Sequence, residues 1–340
     1  MSAPRAVRVL VAEASSPFRD ALTGLIAADP GFEVVAIAGR GLEAAALARE
    51  LRPDVLTVDL DMPAADGFAA IARVMAETPT PILVLTANPV EAVGFRALSL
   101  GALDLLAKPG PREGLEAFGA QLRARLRLIS GIRVIRHPRG VRDAAPTPAP
   151  RAAARRELVV IGASLGGPRA LATVLKALPP EFPAPIAVVQ HIAEGFTDGL
   201  AGWLAQESRL DVATARDGEL LRPGRVLLAP SGRHLVVQRP GVARLSDAPP
   251  LDTFRPSVTP LFRSAAEAYG PRACGVLLTG MGRDGADGLL ALRDAGALTV
   301  VQDEATSAVF GMPRAAIELG AAERVLPLGE IAAALLEEVR

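Results

Sequence analysis

Leu158-Val159-Val160-Ile161-Gly162-Ala163-Ser164-Leu165-Gly166-Gly167-Pro168 runs from an apolar, β-branched segment through a glycine-rich turn to a proline that opens a helical pattern. Such a run reads as a buried strand, and the glycines allow a tight turn with close backbone approach. Pro168 suits the first helical position, where its missing N–H costs nothing. The stretch is a strand–turn–helix unit, the repeat of a doubly wound α/β sheet. Downstream the alternation continues, with strands over 186–190, 275–279 and 298–302 and helices near 196–206, 258–268 and 289–295. Shorter strand and turn pieces fill the chain up to residue 245, so this domain is α/β with a mostly parallel sheet.

Upstream, strands are predicted over 7–12, 33–38, 55–59, 81–86 and 103–107. Helical patterns such as Leu42, Ala45, Ala46, Arg49 and Phe95, Leu98, Leu100 lie between them. Five β-α units make a second doubly wound domain. A chain of 340 residues, at about 150 per domain, agrees with two domains. Between them Arg136-His137-Pro138-Arg139-Gly140 and Ala144-Ala145-Pro146-Thr147-Pro148-Ala149-Pro150 lack either periodicity, and 130–156 holds seven basic residues against one acidic. The expected domains are therefore 1–129 and 157–340, joined by a solvated basic linker over 130–156.

Half the residues are apolar and 22% are charged, enough to build two cores. The 37 basic and 37 acidic residues cancel, which argues against nucleic acid as a partner. The longest apolar run, Ile331 to Leu336, falls far short of the ~20 residues of a membrane span, so no membrane insertion is expected. Met1-Ser2-Ala3-Pro4-Arg5 leads into a strand without a signal-peptide pattern, and a cytoplasmic protein is expected. The lone Cys274 allows no internal disulfide and no multi-cysteine metal site.

Functional residues of open parallel sheets gather where strands end at their carboxyl edge. In the first domain those edges supply Glu13, Asp59, Thr86 and Lys108, with Asp61 two residues after Asp59. Oxygen ligands of this kind suit Mg²⁺, beside which a carboxylate can attack a phosphoryl donor. All but two of the 37 basic residues are arginine, so a lysine at a strand end, followed by Pro109, marks a place for a compact point charge.

Asp54-Val55-Leu56-Thr57-Val58-Asp59-Leu60-Asp61-Met62-Pro63, Asp66-Gly67, Thr86 and Lys108-Pro109 resemble the receiver domain of two-component response regulators. The resemblance covers about residues 5–128. It implies that Asp59 is the phosphoacceptor, Thr86 the hydroxyl, Lys108 the phosphate partner and Glu13, Asp59 and Asp61 the Mg²⁺ ligands, with a chemotaxis histidine kinase as phosphodonor. Two departures stand out. Receivers end their first strand with two acidic residues, where this chain has Glu13-Ala14, and the aromatic switch position of the last strand holds Leu105. The expectation is weak Mg²⁺ binding and slow or absent phosphorylation.

For Ser164 three readings compete. A nucleotide-phosphate cradle lacks the acidic residue that should end the next strand, which ends at Gln190-His191. The α/β-hydrolase elbow requires a late histidine, and none follows His234. The third reading pairs Ser164 with His191, the one histidine that ends a strand of the same sheet; His137 lies in the linker and His234 is expected in a turn before a strand. An orienting carboxylate should come from another strand end. The loop Gly280-Met281-Gly282-Arg283-Asp284-Gly285-Ala286-Asp287-Gly288 supplies two, without the ligand spacing of a calcium loop.

Ile161-Gly162-Ala163-Ser164-Leu165-Gly166-Gly167, Gln190-His191, Gly195-Phe196-Thr197, Ala229-Pro230, Arg255-Pro256-Ser257-Val258, Leu278-Thr279-Gly280-Met281-Gly282-Arg283-Asp284-Gly285-Ala286 and Phe310-Gly311-Met312-Pro313 resemble the catalytic domain of the chemotaxis protein-glutamate methylesterase (CheB) family. This resemblance implies Ser164 as nucleophile, His191 as general base and acid and Asp284 as its partner, leaving Asp287 as a helix N-terminal charge. It also implies methyl-accepting chemoreceptors as substrate, glutamine deamidation as a second activity, no cofactor for hydrolysis, and a receiver that covers the site until phosphorylation loosens it. Leu165 replaces the family's usual threonine. The competing class is a non-catalytic regulatory or scaffold module, kept open by Ala14, Leu105 and Leu165.

Overall fold

The computed structural model describes residues 5–63, 66–87, 92–110, 114–132, 156–251 and 254–339. They form two compact units, each treated by itself. Most of the expected linker, 133–155, lies outside the described residues.

The first unit runs β1 (Val7–Ala12), α1 (Ser16–Ala27), β2 (Phe32–Ala38), α2 (Gly41–Leu51), β3 (Val55–Asp59), α3 (Asp66–Glu77), β4 (Ile82–Thr86), α4 (Ala92–Ser99), β5 (Asp104–Ala107) and α5 (Leu115–Ser130). The five strands are parallel in the order β2-β1-β3-β4-β5. The direction of winding reverses between β1 and β3, so the carboxyl ends of those two strands flank the crevice where such sheets bind ligands. β4 begins one residue later than predicted. Pro81 has no N–H to give the ladder, although its carbonyl accepts from the Leu56 N–H at 2.9 Å.

The second unit runs β6 (Leu158–Ala163), α6 (Gly167–Lys176), β7 (Ile186–Gln190), α7 (Thr197–Glu207), β8 (Asp211–Thr214), β9 (Glu219–Leu220), β10 (Arg225–Leu228), β11 (His234–Gln238), β12 (Val242–Ser246), α8 (Val258–Tyr269), β13 (Ala273–Leu277), α9 (Ala286–Asp294), β14 (Leu298–Gln302), α10 (Met312–Glu318), β15 (Arg324–Leu326) and α11 (Leu328–Glu338). Seven strands form a parallel sheet in the order β15-β14-β13-β6-β7-β10-β8, and β11-β12-β9 form a small antiparallel sheet. The winding reverses at β6. The carboxyl ends of β13, β6 and β7, three neighbours, therefore share one crevice.

Several boundaries differ from the sequence reading, β6 running on to Ala163 and β13 starting at Ala273 among them. β13 ends at Leu277 rather than Thr279: the Leu278 N–H still reaches Gly162 O on β6 at 2.9 Å, but the Thr279 N–H turns to the Gln302 side chain, 2.8 Å from its Oε1. α9 starts at Ala286 rather than near 289, with Gly285 at φ 87° before it. His234 is not in a turn but opens β11, buried at 2% exposure.

α8 shows how packing positions the site. Val258, Leu261, Phe262, Ala265 and Tyr269 recur at helical spacing and are all buried, so this stripe docks the helix on the sheet. Burying a side chain of the Leu or Phe class contributes about 1.5–3 kcal/mol, which fixes the height of the helix N-terminus above the sheet edge. On β13 Cys274 is fully buried, and burial pushes its thiol pKa up to about 12. No helix among the described residues is long and apolar enough to cross a membrane.

Candidate active site

Ser164 follows β6 directly and heads a tight turn, its carbonyl accepting from the Gly167 N–H at 2.8 Å. Gly166 takes φ 76° as the residue before α6, a conformation natural to glycine. Thr279 closes the turn from the other side, its Oγ1 donating to Leu165 O at 2.9 Å. On β7, Gln190 pairs with Ala163, so Ser164 and His191 are the next residues along two adjacent strands. The Gln190 side-chain amide ties them together: Nε2 donates to Ser164 O at 2.7 Å and to His191 O at 2.8 Å.

His191 Nε2 lies 2.8 Å from Asp284 Oδ2. The other ring nitrogen, Nδ1, is buried and makes no hydrogen bond among the described residues. Phe254 stacks flat on the ring. Asp284 receives four further hydrogen bonds: Ser257 Oγ at 2.7 Å, Thr259 N–H at 3.1 Å and Thr259 Oγ1 at 2.8 Å on Oδ1, and Val258 N–H at 2.7 Å on Oδ2. Ser257 stands in the N-cap position of α8 but does not cap the helix. The Asp284 carboxylate takes the first N–H groups instead, a negative charge at the positive end of the helix dipole. Burial alone would raise the pKa of this carboxyl. The hydrogen bond and charge of His191, with the bonds from Ser257 and Val258, outweigh burial and hold it well below the usual carboxylate range. Asp287 sits in the first turn of α9, half-exposed beside Arg283.

In the first unit the four strand ends also converge. Lys108 Nζ lies 2.6 Å from Asp59 Oδ1, 3.0 Å from Glu13 Oε2 and 3.6 Å from Asp61 Oδ2, and 5.0 Å from the Phe18 ring centroid. Thr86 is buried at the end of β4, its carbonyl accepting from the Lys108 N–H at 2.8 Å. Burial lowers the Lys108 pKa, but Asp59 and Glu13 more than compensate and leave it above the ordinary lysine value. Glu13 is raised, chiefly by burial and also by the Asp59 charge, against the Ser15 N–H and Lys108.

The CheB methylesterase family profile matches residues 159–335, and the response regulator receiver domain matches residues 9–118. A protein-glutamate methylesterase/protein-glutamine glutaminase 2 of Anaeromyxobacter dehalogenans (strain 2CP-C) is 69% identical over 336 residues, 99% of this chain and 98% of that one. The chain belongs to the CheB methylesterase family. A protein-glutamate methylesterase/protein-glutamine glutaminase 3 of Myxococcus xanthus (strain DK1622) is 45% identical over 343 residues, covering 99% of this chain and 95% of that protein. The crystal structure of the Thermotoga maritima CheB methylesterase catalytic domain matches with a TM-score of 0.52 at 42% identity, covering 54% of this chain and 99% of that one.

Receivers use Mg²⁺ in phosphorylation, and this CheB receiver offers that ion a reduced donor set. The Lys108 ammonium occupies the point where Glu13, Asp59 and Asp61 converge. Ser15 N–H binds the other Glu13 oxygen, Ala87 N–H binds Asp61 Oδ2, and Ala14 offers no ligand atom. Among the described residues no three His, Cys, Asp or Glu side chains gather as a metal-holding group.

Sequence reasoning missed Thr259, which donates to Asp284, and Phe254, which stacks on His191, and it placed the buried His234 in a turn. It quoted Ser257 only as part of a motif. The one local signal was the Ser257-Val258-Thr259 helix start, which reads as a cap for its own helix rather than as a cradle for a distant aspartate.

Proposed function

We propose that this chain removes methyl groups from glutamate γ-methyl esters on methyl-accepting chemoreceptors by a serine mechanism, and deamidates receptor glutamine by the same acyl chemistry. The observation that carries the reading is the His191–Asp284 hydrogen bond at 2.8 Å through Nε2, which leaves Nδ1 unengaged and able to serve as the base for Ser164. Ser164 Oγ attacks the ester carbonyl carbon while its proton passes to His191 Nδ1. Backbone N–H groups of the glycine-rich loops at 162–167 and 280–285 hold the oxyanion. The C–O bond to the methoxy group breaks, and methanol leaves with the proton from the imidazolium, which Asp284 stabilises. Water, deprotonated by His191, then releases the glutamate carboxylate. With glutamine the leaving group is ammonia. Hydrolysis requires no metal or organic cofactor in this scheme.

The domains of this reading are a receiver over 1–129, a linker over 130–156 and the methylesterase over 157–340, working in the cytoplasm. Asp59 is the phosphoacceptor position, with Thr86 and Lys108 around it and a chemotaxis histidine kinase as donor. With Ala14 and the Lys108 clamp, its phosphorylation is slow or absent. The test is methanol release from methylated receptor: Ser164→Ala abolishes it, and activity within a few-fold of the parent would sink the serine mechanism. Reaction of Ser164 with a fluorophosphonate probe separates this reading from a non-catalytic scaffold.

A further inference from the structure

We infer that His234 is a second functional histidine of the methylesterase unit, a positioning residue that sets the geometry of Asp284 through the start of α8. The inference rests on the serine-hydrolase reading above. His234 Nδ1 accepts the Ser257 N–H at 3.1 Å, and Nε2 lies 3.2 Å from Pro249 O. An imidazole that accepts at Nδ1 and faces a carbonyl at Nε2 carries its proton on Nε2 and is neutral. It acts as a strut between the strand β11 and two loop segments, accepting on one side and donating on the other.

The residue it holds is the one that matters. The Ser257 N–H lies in a buried setting where an unpaired donor costs about 1–3 kcal/mol, so this N–H must find an acceptor, and His234 is the acceptor present. Ser257 in turn donates Oγ–H to Asp284 Oδ1, and the next N–H, from Val258, donates to the same Oδ2 that receives His191. A shift at Ser257 is thus passed through two short hydrogen bonds to the carboxylate and on to the base. If Nδ1 is lost as an acceptor, the Ser257 N–H must turn to another partner, and the Ser257 hydroxyl that holds Asp284 Oδ1 moves with it. The carboxylate is then drawn off the imidazole. An ångström of such misplacement costs about 100-fold in rate.

A purely structural histidine and a positioning one predict different patterns, and three substitutions in the full-length chain separate them. His234→Asn keeps an acceptor near the Nδ1 position and loses the reach to Pro249. His234→Gln keeps a donor for Pro249 and loses the Nδ1 acceptor, and His234→Leu loses both. Methanol release from methylated receptor is measured with thermal melting and with the downfield proton resonance of the His191–Asp284 bond, taking Ser164→Ala as the reference for the serine mechanism. Expected is a fall in kcat of about 10- to 100-fold for Gln and Leu with KM little changed and the downfield resonance shifted, while Asn stays within a few-fold of the parent. Equal kcat in folded Asn and Gln variants, or a kcat that follows melting temperature alone, overturns the inference; the Asn and Gln pair decides it even if Leu does not fold. If Ser164→Ala is itself active, the serine reading has failed rather than the role of His234.

Discussion

The phenyl ring of Phe254 lies flat against the His191 imidazole, with centroids 4.0 Å apart and planes 2° from parallel. Asp284 fixes one ring nitrogen, and the stack fixes the plane, so together they aim Nδ1. A stacked pair is worth about 0.5–1.5 kcal/mol. Phe254→Ala should lower kcat by about tenfold, the rate equivalent of ~1.4 kcal/mol, with a smaller change in KM. Methanol release kinetics check it, and an unchanged kcat would remove the stack from the catalytic geometry.

Asp284→Asn replaces an anion that accepts five hydrogen bonds with an amide that must turn an NH₂ toward donors. By analogy with other serine triads the loss in kcat should be about 1,000- to 10,000-fold. The same carboxylate links stability to pH. Its folded pKa lies below the unfolded value of about 3.9, so between the two the unfolded chain binds more protons and stability falls as pH falls. The contribution is complete above about pH 4 and drains away at more acid pH. Urea melts of the parent should lose stability more steeply below pH 4 than those of Asp284→Asn; parallel curves would contradict the depressed pKa.

Gly280 has no room for a side chain. A Cβ there would lie 2.2 Å from Met312 Sδ and 2.7 Å from Ser164 Cβ. Met312 can bend, whereas Ser164 is pinned at its N–H by Thr279 O and at its carbonyl by Gln190. Gly280→Ala should cost about 1–3 kcal/mol of stability and displace the nucleophile, so that fluorophosphonate labelling slows more than melting alone accounts for.

Asp59 should take up little phosphate from a small phosphodonor in Mg²⁺. Ala14→Asp restores a carboxylate beside Glu13 and should raise labelling. Rapid stoichiometric labelling of the parent, or no gain in the variant, would show that the Lys108 clamp and the missing ligand do not set the rate.

How much of this could be read from residues alone follows the range of the forces involved. Strands built from continuous β-branched runs, 7–12, 55–59, 186–190 and 298–302, match β1, β3, β7 and β14 residue for residue, because both faces are buried and the pattern is local. β15 has three residues and carries no periodicity, α10 begins inside the last motif and α11 lies beyond it, so the end of the second unit does not announce itself in the sequence. Ser164 and His191 stand out because each follows a strand end, whereas Asp284 lies beyond the end of β13 in a loop with two aspartates, and only the family resemblance singles it out. Ser257, Thr259 and His234 do not stand out, since each meets Asp284 or its neighbours across more than 20 residues through a helix start whose height is set by core packing.

The buried Cys274 has a practical consequence. A fully buried thiol with its pKa pushed to about 12 forms almost no thiolate at neutral pH, so maleimides and spin-label reagents pass it by. The native chain is therefore already a silent background for single-site labelling. One cysteine introduced on each unit would give a pair of fluorophores whose separation reports the distance between receiver and methylesterase, without first mutating the core.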